Sequence, residues 1–433
     1  MSSLPVPMRL LPDSAQIAAD GSLSIGGCSV VELAERYGTP LFVYDEEHVR
    51  ARCREAVRTF GTDTVIYASK AFLCTAMAAL VHEEGLLLDV ATGGELYVAL
   101  HAGVPADRCV LHGNNKSEDE LRMALTAGAD SQKRPGVRHV VVDSFDEIER
   151  LVTLRREGLP VPRVMIRVTP GIHAHTHDYI ATGQDDSKFG FNLANGDAER
   201  AVEAVRTSGC GELIGLHCHI GSNVFAVESF ARAAATMTTF ARRFGLPELT
   251  MGGGLGVAYT ASEEAPTITS WGSAILDACS AGGLQARVSV EPGRSIVASA
   301  AVTVYRIGTI KRIEGIRTYV GVDGGMSDNP RPVLYGSGYE AFKVSEVSAA
   351  RTMQARIVGK HCESGDVLIF DADVPDSLAV GDLLATPVTG AYGHSMASNY
   401  NKVPRPAVVF AGSGSARLVV RRETYDDLVR LDL

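Results

Sequence analysis

Residues 64–95 read TVIYASKAFLCTAMAALVHEEGLLLDVATGGE, and this stretch decides the fold class. Two short runs of mainly apolar residues, 64–68 and 86–91, flank a stretch whose apolar residues have helical spacing. The pattern predicts a strand, a helix and a second strand parallel to the first. The alternation continues along the chain, and the predicted strands are residues 64–68, 86–91, 108–112, 139–143, 164–168, 213–217, 248–251 and 288–291.

These strand-then-helix units predict a TIM (β/α)8 barrel, because eight units in roughly 230 residues suit that α/β fold. A doubly wound open sheet is the alternative, but the regularity of the units favours closure. Amphipathic helices are predicted between the strands, for example at residues 94–102, 146–156, 198–208 and 229–243.

A second, β-rich domain is predicted after Pro292, where helical periodicity gives way to strand-like runs separated by Gly, Pro and Asp turns. The runs are residues 301–307, 317–322, 352–358, 367–370, 407–410 and 417–421. Strand-like pieces at 22–25 and 41–44 predict that both termini build this sandwich- or barrel-like domain. The expected boundaries are 1–45 for the N-terminal segment of the β-domain, 46–292 for the barrel and 293–433 for the C-terminal β-domain.

Composition excludes several classes of protein. The formal net charge is -10 and no dense Lys/Arg run occurs, so we expect neither a nucleic-acid nor a membrane partner. Eight cysteines without a CxxC pair do not form a disulfide or zinc-ribbon pattern and indicate a reducing compartment. The opening residues, MSSLPVPMRLLPDS, lack the features of a secretory signal. We therefore expect a cytoplasmic enzyme or binding protein.

Polar and glycine-rich clusters follow the predicted barrel strands at their carboxyl ends. They are YASK (67–70), DVATGGE (89–95), HGNNK (112–116), RVTPG (167–171), HCHIGS (217–222), GGGLG (252–256) and EPGR (291–294). Active sites of TIM barrels are built at this face, so the clusters are expected to converge on one mouth. Agreement among several strands indicates a site more strongly than any single motif does.

Lys70 ends the first of these clusters. A lysine at a strand end is most often a solvated surface residue, and its position alone assigns it no catalytic role. It becomes a candidate for a Schiff base with an aldehyde cofactor because the other strand ends supply a cofactor site. Such a lysine needs a lowered pKa, which desolvation in a barrel mouth provides.

Glycines near the last strands predict an anion site. Gly252-Gly253-Gly254 follows strand seven, and Gly221-Ser222 follows strand six. Backbone N–H groups can approach a phosphate closely there, a recurrent use of the last loops of this barrel. A tight turn without a ligand is the alternative. Neither GxGxxG nor P-loop spacing is present, so the pattern argues against a dinucleotide or ATP.

Glu291 ends the eighth predicted strand and would face the mouth. A carboxylate beside a pyridine nitrogen keeps that nitrogen protonated and makes the ring an electron sink. When Glu291 is considered without the other motifs, an ion pair with Arg294 is an equally good interpretation. Of His217 and His219, one could lie flat against a cofactor ring, while the other is packed or hydrogen-bonded.

Two further features leave alternatives open. His173, His175 and His177 alternate and could suggest a metal, but no carboxylate–histidine motif accompanies them. We predict no metal and expect a polar loop over the active site. Cys362 could be a small buried hydrophobe, the commonest state of a lone cysteine. Its polar neighbours in HCESGD (361–366) favour exposure in a functional loop.

Together these motifs resemble the pyridoxal 5'-phosphate (PLP) decarboxylases of the alanine-racemase-like fold. The residues that carry the resemblance are YASK (67–70), HIGS (219–222), the triple glycine (252–254), EPGR (291–294), CESGD (362–366) and GAY (390–392). It extends from about residue 35 to the C-terminus. It implies a PLP barrel followed by a β-domain, in a homodimer with active sites at the subunit interface.

The resemblance implies residue roles at the cofactor. Lys70 forms the Schiff base, His219 stacks on the ring, Glu291 binds the ring nitrogen, and Tyr392 lies near the phosphate and the substrate. Cys362 of the partner subunit is the implied proton donor. The residues that the resemblance places at the cofactor are Lys70, Asp89, Arg167, His219, Ser222, Gly253, Gly254, Glu291, Gly293, Arg294 and Tyr392.

Within the family, the chain most resembles the members that act on meso-2,6-diaminopimelate. Arg294, Arg331 and Tyr335 match the residues that bind the non-reacting carboxylate, Glu363 matches the residue that reads the distal amino group, and Tyr392 is also near the substrate. A substrate with a second carboxylate is bound well by arginines, which can form two hydrogen bonds to it. The same arginines would repel an amino acid that carries a second amino group but no second carboxylate. Departures from the family pattern are Lys360, Gly393 and Met251.

The implied reaction is decarboxylation of meso-2,6-diaminopimelate at its D-centre, which gives L-lysine and CO2 in lysine biosynthesis. A decarboxylase of the same fold that acts on ornithine, arginine, lysine or a precursor in secondary metabolism is the main alternative. A racemase, or a PLP-binding protein without catalytic activity, is a further one. The β-domain with Cys362 and Tyr392 argues against the last of these.

Overall fold

A computed structural model describes residues 4–128, 135–172 and 186–433. His173, His175 and His177 lie outside the described residues. The chain divides into two compact units: a barrel unit of Arg52–Gly256 and Ala265–Ser295, and a β unit of Met1–Ala51, Val257–Glu264 and Ile296–Leu433.

The strands of the described residues are, in chain order, Gln16–Ile17 (β1), Leu23–Ile25 (β2), Cys28–Ser29 (β3), Leu41–Asp45 (β4), Ile66–Ala68 (β5), Leu87–Val90 (β6), Cys109–Leu111 (β7), His139–Val142 (β8), Arg163–Thr169 (β9), Phe191–Asn192 (β10), Glu212–Cys218 (β11), Glu248–Thr250 (β12), Arg287–Ser289 (β13), Ala301–Ile313 (β14), Arg317–Val322 (β15), Phe342–Lys343 (β16), Met353–Val358 (β17), Val367–Val374 (β18), Leu383–Pro387 (β19), Ala407–Gly412 (β20) and Ser415–Val420 (β21).

The α-helices of the same residues are Val30–Tyr37 (α1), Glu46–Phe60 (α2), Thr75–Glu83 (α3), Gly93–His101 (α4), Glu118–Thr126 (α5), Phe145–Arg156 (α6), Asp197–Ser208 (α7), Val227–Ala241 (α8), Ile268–Ala281 (α9), Arg294–Val297 (α10), Arg331–Tyr335 (α11) and Tyr425–Val429 (α12). Within the described ranges, no helix is long and apolar enough to cross a bilayer.

The sheet of the barrel unit runs β5-β6-β7-β8-β9-β11-β12-β13, and every neighbouring pair is parallel. A parallel bridge between Val65 and Val290 joins its two ends, and the Ile66 N–H donates to the Val290 carbonyl at 2.9 Å. The closed barrel is therefore confirmed and the open sheet excluded. All eight predicted barrel strands are present, with ends that differ by a few residues.

Local sequence signals explain why the helices begin just after the barrel strands. Thr92, Ser117 and Ser144 are the N-cap residues of α4, α5 and α6, and each side chain accepts a hydrogen bond from the backbone N–H three residues later. Ser117 and Glu120 form a reciprocal capping box. The loops between strand and helix are therefore short, and the side chains that they carry are held near the strand ends.

The β unit is built from both ends of the chain. Strand β4 pairs antiparallel with β14 and parallel with β20. Its buried core combines side chains of the N-terminal segment, such as Leu23 and Val43, with those of the C-terminal part, such as Val304 and Val409. The predicted β-rich domain with contributions from both termini is thus confirmed.

Strand β14 is longer than the predicted run 301–307. Its first residues pair with β4 and β19, and its second half pairs with β15. Most of residues 308–313 are exposed, so the hydrophobic pattern that reveals a buried strand is absent there. Strand β19 and the five-residue helix α11 were also not predicted.

Candidate active site

Lys70 lies in a 3-10 turn, Ser69–Ala71, that follows β5 directly. Its Nζ atom is 3.9 Å from Asp89 Oδ2 on the neighbouring strand β6, and its side chain is 52% exposed. The Tyr67 hydroxyl donates a 2.7 Å hydrogen bond to the Phe72 carbonyl and so ties the two sides of the turn together. The amine is therefore accessible at the carboxyl ends of the strands, beside a buried carboxylate, and the desolvation of Lys70 expected from the sequence is not observed.

Glu291 lies between two histidines from other strands. One carboxylate oxygen is 2.9 Å from the Nε2 atom of His112, which follows β7. The other oxygen is 2.9 Å from the Nε2 atom of His217 on β11. The two imidazole rings meet edge-on, with centroids 4.9 Å apart, and all three side chains are buried. The carboxylate of Glu291 is thus held from two directions.

These contacts determine which groups carry charge. Burial raises the pKa of Glu291, but the attraction of His112 and His217 outweighs it and holds that pKa well below its usual range. Burial lowers the pKa of His112, but Asp89 and Glu291 outweigh it and the pKa is raised. For His217 burial prevails, and its pKa is lowered. The raised pKa of His112 and the lowered pKa of Glu291 together favour an ion pair between these two side chains.

His219 presents a neutral ring beside this group. Burial, with the nearby charges of Lys70 and Arg167, holds the pKa of His219 well below its usual value. Its Nδ1 atom accepts a 3.2 Å hydrogen bond from the Gly253 N–H, which fixes the orientation of the ring. A neutral, oriented imidazole can stack on a flat aromatic cofactor.

The loops after β11 and β12 pack so closely that only glycine fits. A Cβ at Gly253 would overlap the Glu291 carbonyl oxygen, and a Cβ at Gly254 would overlap the Gly221 carbonyl oxygen. Gly254 also has a φ of +110, which other residues rarely adopt. Backbone atoms are therefore exposed to a ligand without intervening side chains, as a phosphate cradle requires.

Arg294 reaches the same loops. Its guanidinium donates a 2.8 Å hydrogen bond to the Ser222 hydroxyl, and Arg294 is only 6% exposed. Gly293, beside it, packs against Ala68 at the end of β5. A buried cation and a hydroxyl beside the glycine loops suit a phosphate.

Arg167 on β9 is fixed by two contacts. Its guanidinium lies 3.7 Å from the Asp143 carboxylate and 4.4 Å from the centre of the Phe189 ring. Asp143 also accepts a 2.7 Å hydrogen bond from the Gly190 N–H. The structure thus brings together, in the barrel unit, the predicted residues Lys70, Asp89, Arg167, His219, Ser222, Gly253, Gly254, Glu291, Gly293 and Arg294.

The geometry around Glu291 suits a carboxylate in direct contact with two imidazoles better than a metal site. The ligand atoms of His112, His217 and Glu291 lie within 4.8 Å of one another, close enough to consider a metal. Ligand atoms around a tetrahedral zinc ion stand about 3.3 Å apart, given the usual bond lengths. Here both oxygens of Glu291 lie 2.9 Å from an imidazole nitrogen, so the contacts are direct.

The remaining predicted residues belong to the β unit. Arg331 begins α11 and is 3% exposed. Its guanidinium stacks 4.1 Å from the centre of the Tyr259 ring and donates a 2.5 Å hydrogen bond to the Tyr339 hydroxyl. Its Nε has no hydrogen-bond partner among the residues that the structure describes. A buried cation among neutral aromatic groups is suited to an anionic ligand.

Tyr335 ends α11, and Tyr392 is half-buried with a positive φ of 58. Such a backbone conformation is uncommon for a tyrosine and tends to occur at functional sites.

Cys362 lies in an exposed loop, as its polar neighbours predict. Asp366 accepts hydrogen bonds of 2.7 Å from the Met326 N–H and 2.8 Å from the His361 N–H, and so anchors the loop. The Cys362 N–H donates to Asn401 at 3.1 Å. The thiol and the neighbouring Glu363 are thus presented outward on a fixed loop.

Sequence reasoning missed the contacts of His112, Tyr259 and Tyr339. The cluster HGNNK (112–116) follows a predicted strand, and this position is the signal in the sequence that points to His112. Nothing local marks the two tyrosines, because their role follows from their contact with a buried arginine.

Comparisons with known proteins identify the family of the chain. A family model described as pyridoxal-dependent decarboxylase, pyridoxal binding domain, matches residues 46–298. The chain is 48% identical to the diaminopimelate decarboxylase of Bacillus subtilis, over 95% of each chain. It is 47% identical to that of Mycobacterium tuberculosis, again over 95% of each. Among solved structures, the diaminopimelate decarboxylase of M. jannaschii in complex with L-lysine aligns with a TM-score of 0.86 and 31% identity, over 97% of this chain and 98% of that one.

Proposed function

Because this chain belongs to the pyridoxal-dependent decarboxylase family, we propose that it decarboxylates meso-2,6-diaminopimelate at its D-centre and so produces L-lysine and CO2. The chain is a carboxy-lyase that uses PLP. The relatives that are 45–48% identical over nearly their full length are named diaminopimelate decarboxylases.

The observation that carries the choice of substrate is the burial of Arg331 without a carboxylate partner among the residues that the structure describes. Its described contacts are the ring of Tyr259 and the hydroxyl of Tyr339. An uncompensated buried charge is costly, so a ligand that supplies the opposite charge is favoured. The distal carboxylate of diaminopimelate supplies it, whereas lysine and ornithine have no second carboxylate. Under this proposal Arg294, Tyr335, Glu363 and Tyr392 complete the recognition of the substrate.

The barrel residues fit the cofactor. Under the proposal, Lys70 holds PLP covalently, and the loops of Gly253 and Gly254 bind its phosphate together with Ser222 and Arg294. Bound PLP supplies an electron sink for the pair released when CO2 departs. Glu291 carries the negative charge that keeps a ring nitrogen protonated, and His219 covers one face of the ring. Asp89 and Arg167 line the pocket.

Two residues move protons in the proposed reaction. The Lys70 amine is displaced when substrate binds and takes up or gives back a proton at Nζ as it is released and returns. The thiol of Cys362 of the partner subunit donates a proton to the carbon that lost CO2. This assignment requires a homodimer, which the outward position of the Cys362 loop supports. The proton donor is therefore lost when subunits separate.

We also place the protein in the cytoplasm. Support comes from its eight cysteines, which are all free thiols. Free thiols persist where the redox poise is reducing.

The test is to assay L-lysine and CO2 from meso-2,6-diaminopimelate with and without added PLP. We expect equal amounts of both products and no CO2 from lysine, ornithine or arginine. Release of CO2 from one of those three alone would overturn the substrate assignment, and racemised substrate without CO2 would overturn the reaction.

A matched pair of variants tests Arg331. Arg331→Met is expected to raise KM for diaminopimelate by about 100-fold, as loss of a charged contact does. Arg356→Met is the control, because that arginine also stacks on an aromatic ring, Phe370, but at the surface. An unchanged KM in Arg331→Met would exclude its contact with the distal carboxylate.

A further inference from the structure

Glu291 is contacted by two histidines, and the proposed function uses neither of them. We propose that His112 is a positioning residue for the cofactor, which holds the Glu291 carboxylate where the pyridine nitrogen binds. The inference rests on the proposed function, because it takes Glu291 as the partner of that nitrogen.

The geometry around His112 is that of a bridge between two carboxylates. Its Nε2 atom lies 2.9 Å from Glu291 Oε1 and 3.9 Å from Asp89 Oδ1. The imidazole is 6% exposed and rests against the ring of His217. Asp89 in turn lies 3.9 Å from the Lys70 amine. His112 thus occupies the place between the lysine end and the glutamate end of the cofactor site.

Two partners are needed to orient a carboxylate at the end of a flexible side chain. His217 hydrogen-bonds one oxygen of Glu291 and alone would allow the carboxylate to rotate about that contact. His112 contacts the other oxygen at ion-pair distance, 2.9 Å, without the geometry of a hydrogen bond, and its attraction for that oxygen opposes the rotation. Each carboxylate oxygen has a second lone pair, so the group can still accept a hydrogen bond from a ring nitrogen. Removing His112 would leave a buried carboxylate oxygen without its contact.

The loop that carries His112 is held in place by the side chain of Lys116. Lys116 donates 2.7 Å hydrogen bonds to the carbonyls of Gly113 and Val141 and forms a buried ion pair with Glu147. These contacts tie the loop after β7 to β8 and α6. A rigid support of this kind is what a positioning residue requires.

Charge favours the same role. The two flanking carboxylates raise the pKa of His112 against the effect of burial. A cationic imidazole balances Asp89 and Glu291, and it allows Glu291 to stay ionised in a buried place. An ionised Glu291 keeps the pyridine nitrogen protonated, which is the state in which PLP withdraws electrons.

The test uses the full chain reconstituted with PLP labelled with 15N at the ring. Two readouts are followed: the 15N chemical shift, which reports protonation of the ring nitrogen, and the dissociation constant of PLP. The variants are His112→Gln, which removes the charge of the ion pair but keeps a polar side chain, and His112→Phe, which keeps the size and removes both charge and polarity. Both are also made in a Glu291→Gln background. His139→Gln is the control, since His139 is buried on β8 and neither of its ring nitrogens has a hydrogen-bond partner in the described structure.

We expect His112→Gln to weaken PLP binding about tenfold and to move the 15N signal towards the unprotonated form. His112→Phe should have a larger effect if it folds. In the Glu291→Gln background either change should weaken binding by less than about twofold, because the carboxylate to be positioned is gone. The control should retain the native shift.

Equal weakening in both backgrounds, or a native 15N shift in His112→Gln, would overturn the inference. Failure of the proposed function has a different signature. It would show as a native chain that binds no PLP, or as a ring signal that Glu291→Gln does not change. A purely structural role for His112 would raise the dissociation constant of PLP equally in both backgrounds and is therefore separated by the double-mutant comparison.

Discussion

The Lys70 amine lies 3.9 Å from the carboxylate of Asp89, and the two residues stand at the ends of neighbouring parallel strands. This contact places the lysine amine beside a buried carboxylate at the place where the barrel opens. A covalent link between this amine and PLP is the first consequence to be tested.

Lys70→Ala is expected to abolish the visible absorption that a lysine Schiff base of PLP gives. Borohydride reduction followed by peptide mapping should link PLP to the peptide that contains Lys70 in the native chain and to none in the variant. Lys311→Ala, at an exposed lysine of the β unit, is the control and should keep the native spectrum. A native spectrum in Lys70→Ala would exclude the assignment.

Cys362→Ala is expected to keep the bound cofactor but to lower kcat by roughly 10²–10⁴, the usual worth of a general acid. The spectrum of bound PLP and the rate of lysine formation are measured on the same sample. Cys28→Ala removes a half-buried thiol of the same unit and serves as the control. If Cys362→Ala turned over at nearly the native rate, another group would have to donate the proton.

Lys116→Met is expected to destabilise the protein by about 3–5 kcal/mol, because it leaves the carboxylate of Glu147 buried without its partner. Lys116 and Glu147 are both nearly inaccessible, and their closest atoms are 2.8 Å apart. Denaturant unfolding gives the free energy of unfolding. Adding Glu147→Gln should recover much of the loss, because the amide oxygen can still accept from the Asp143 N–H that Glu147 binds.

An exposed ion pair provides a comparison for the loss of stability expected of Lys116→Met. Arg317→Met breaks the pair with Asp371 at the surface of the β unit and should cost less than about 1 kcal/mol. A similar small cost for Lys116→Met would show that the barrel does not depend on the buried pair.

The raised pKa of Asp328 leads us to expect that the free energy of unfolding depends on pH. Burial, with Asp323 and Asp366 nearby, raises its pKa from the usual 3.8 to about 7, against the effect of a 2.6 Å hydrogen bond from Tyr305. The folded chain therefore keeps a proton that the unfolded chain has lost between these two values. In that window, rising pH should lower the contribution of Asp328 to the free energy of unfolding by about 1.4 kcal/mol per unit.

The measurement compares the native chain with Asp328→Asn from pH 5 to 8. The difference between their free energies of unfolding should fall as pH rises to about 7 and then level off. A difference that does not change with pH would mean that Asp328 has the same pKa in the folded and unfolded chains.

Much of the barrel site was predictable because parallel strands bring their carboxyl ends to one face. Lys70 and Glu291 were expected at the same mouth from the strand pattern alone, and the structure places both at its strand ends. The family resemblance added the kind of cofactor. Local sequence patterns were sufficient to predict these residues, because the position of each one depends only on the end of its own strand.

Contacts across the fold were beyond the reach of the sequence. His112 was seen as part of a polar cluster, but its contact with Glu291 depends on the register of several intervening strands. Tyr259 and Tyr339 come together with Arg331 only through tertiary structure. The second half of β14 was missed because its exposed residues have no buried face to reveal.

The close packing at Gly253 also fixes the distance between the glycine loop and the backbone of Glu291. The Glu291 N–H donates to the Gly252 carbonyl at 2.8 Å, and Gly253 packs against the Glu291 carbonyl. The glycine loop, to which the proposed function assigns the phosphate, is thus joined to the backbone of Glu291 by a hydrogen bond and by close packing, which fix the span between them. Under the proposed function, a molecule whose phosphate-bearing arm is one bond longer or shorter than that of PLP would match one end of this span and miss the other.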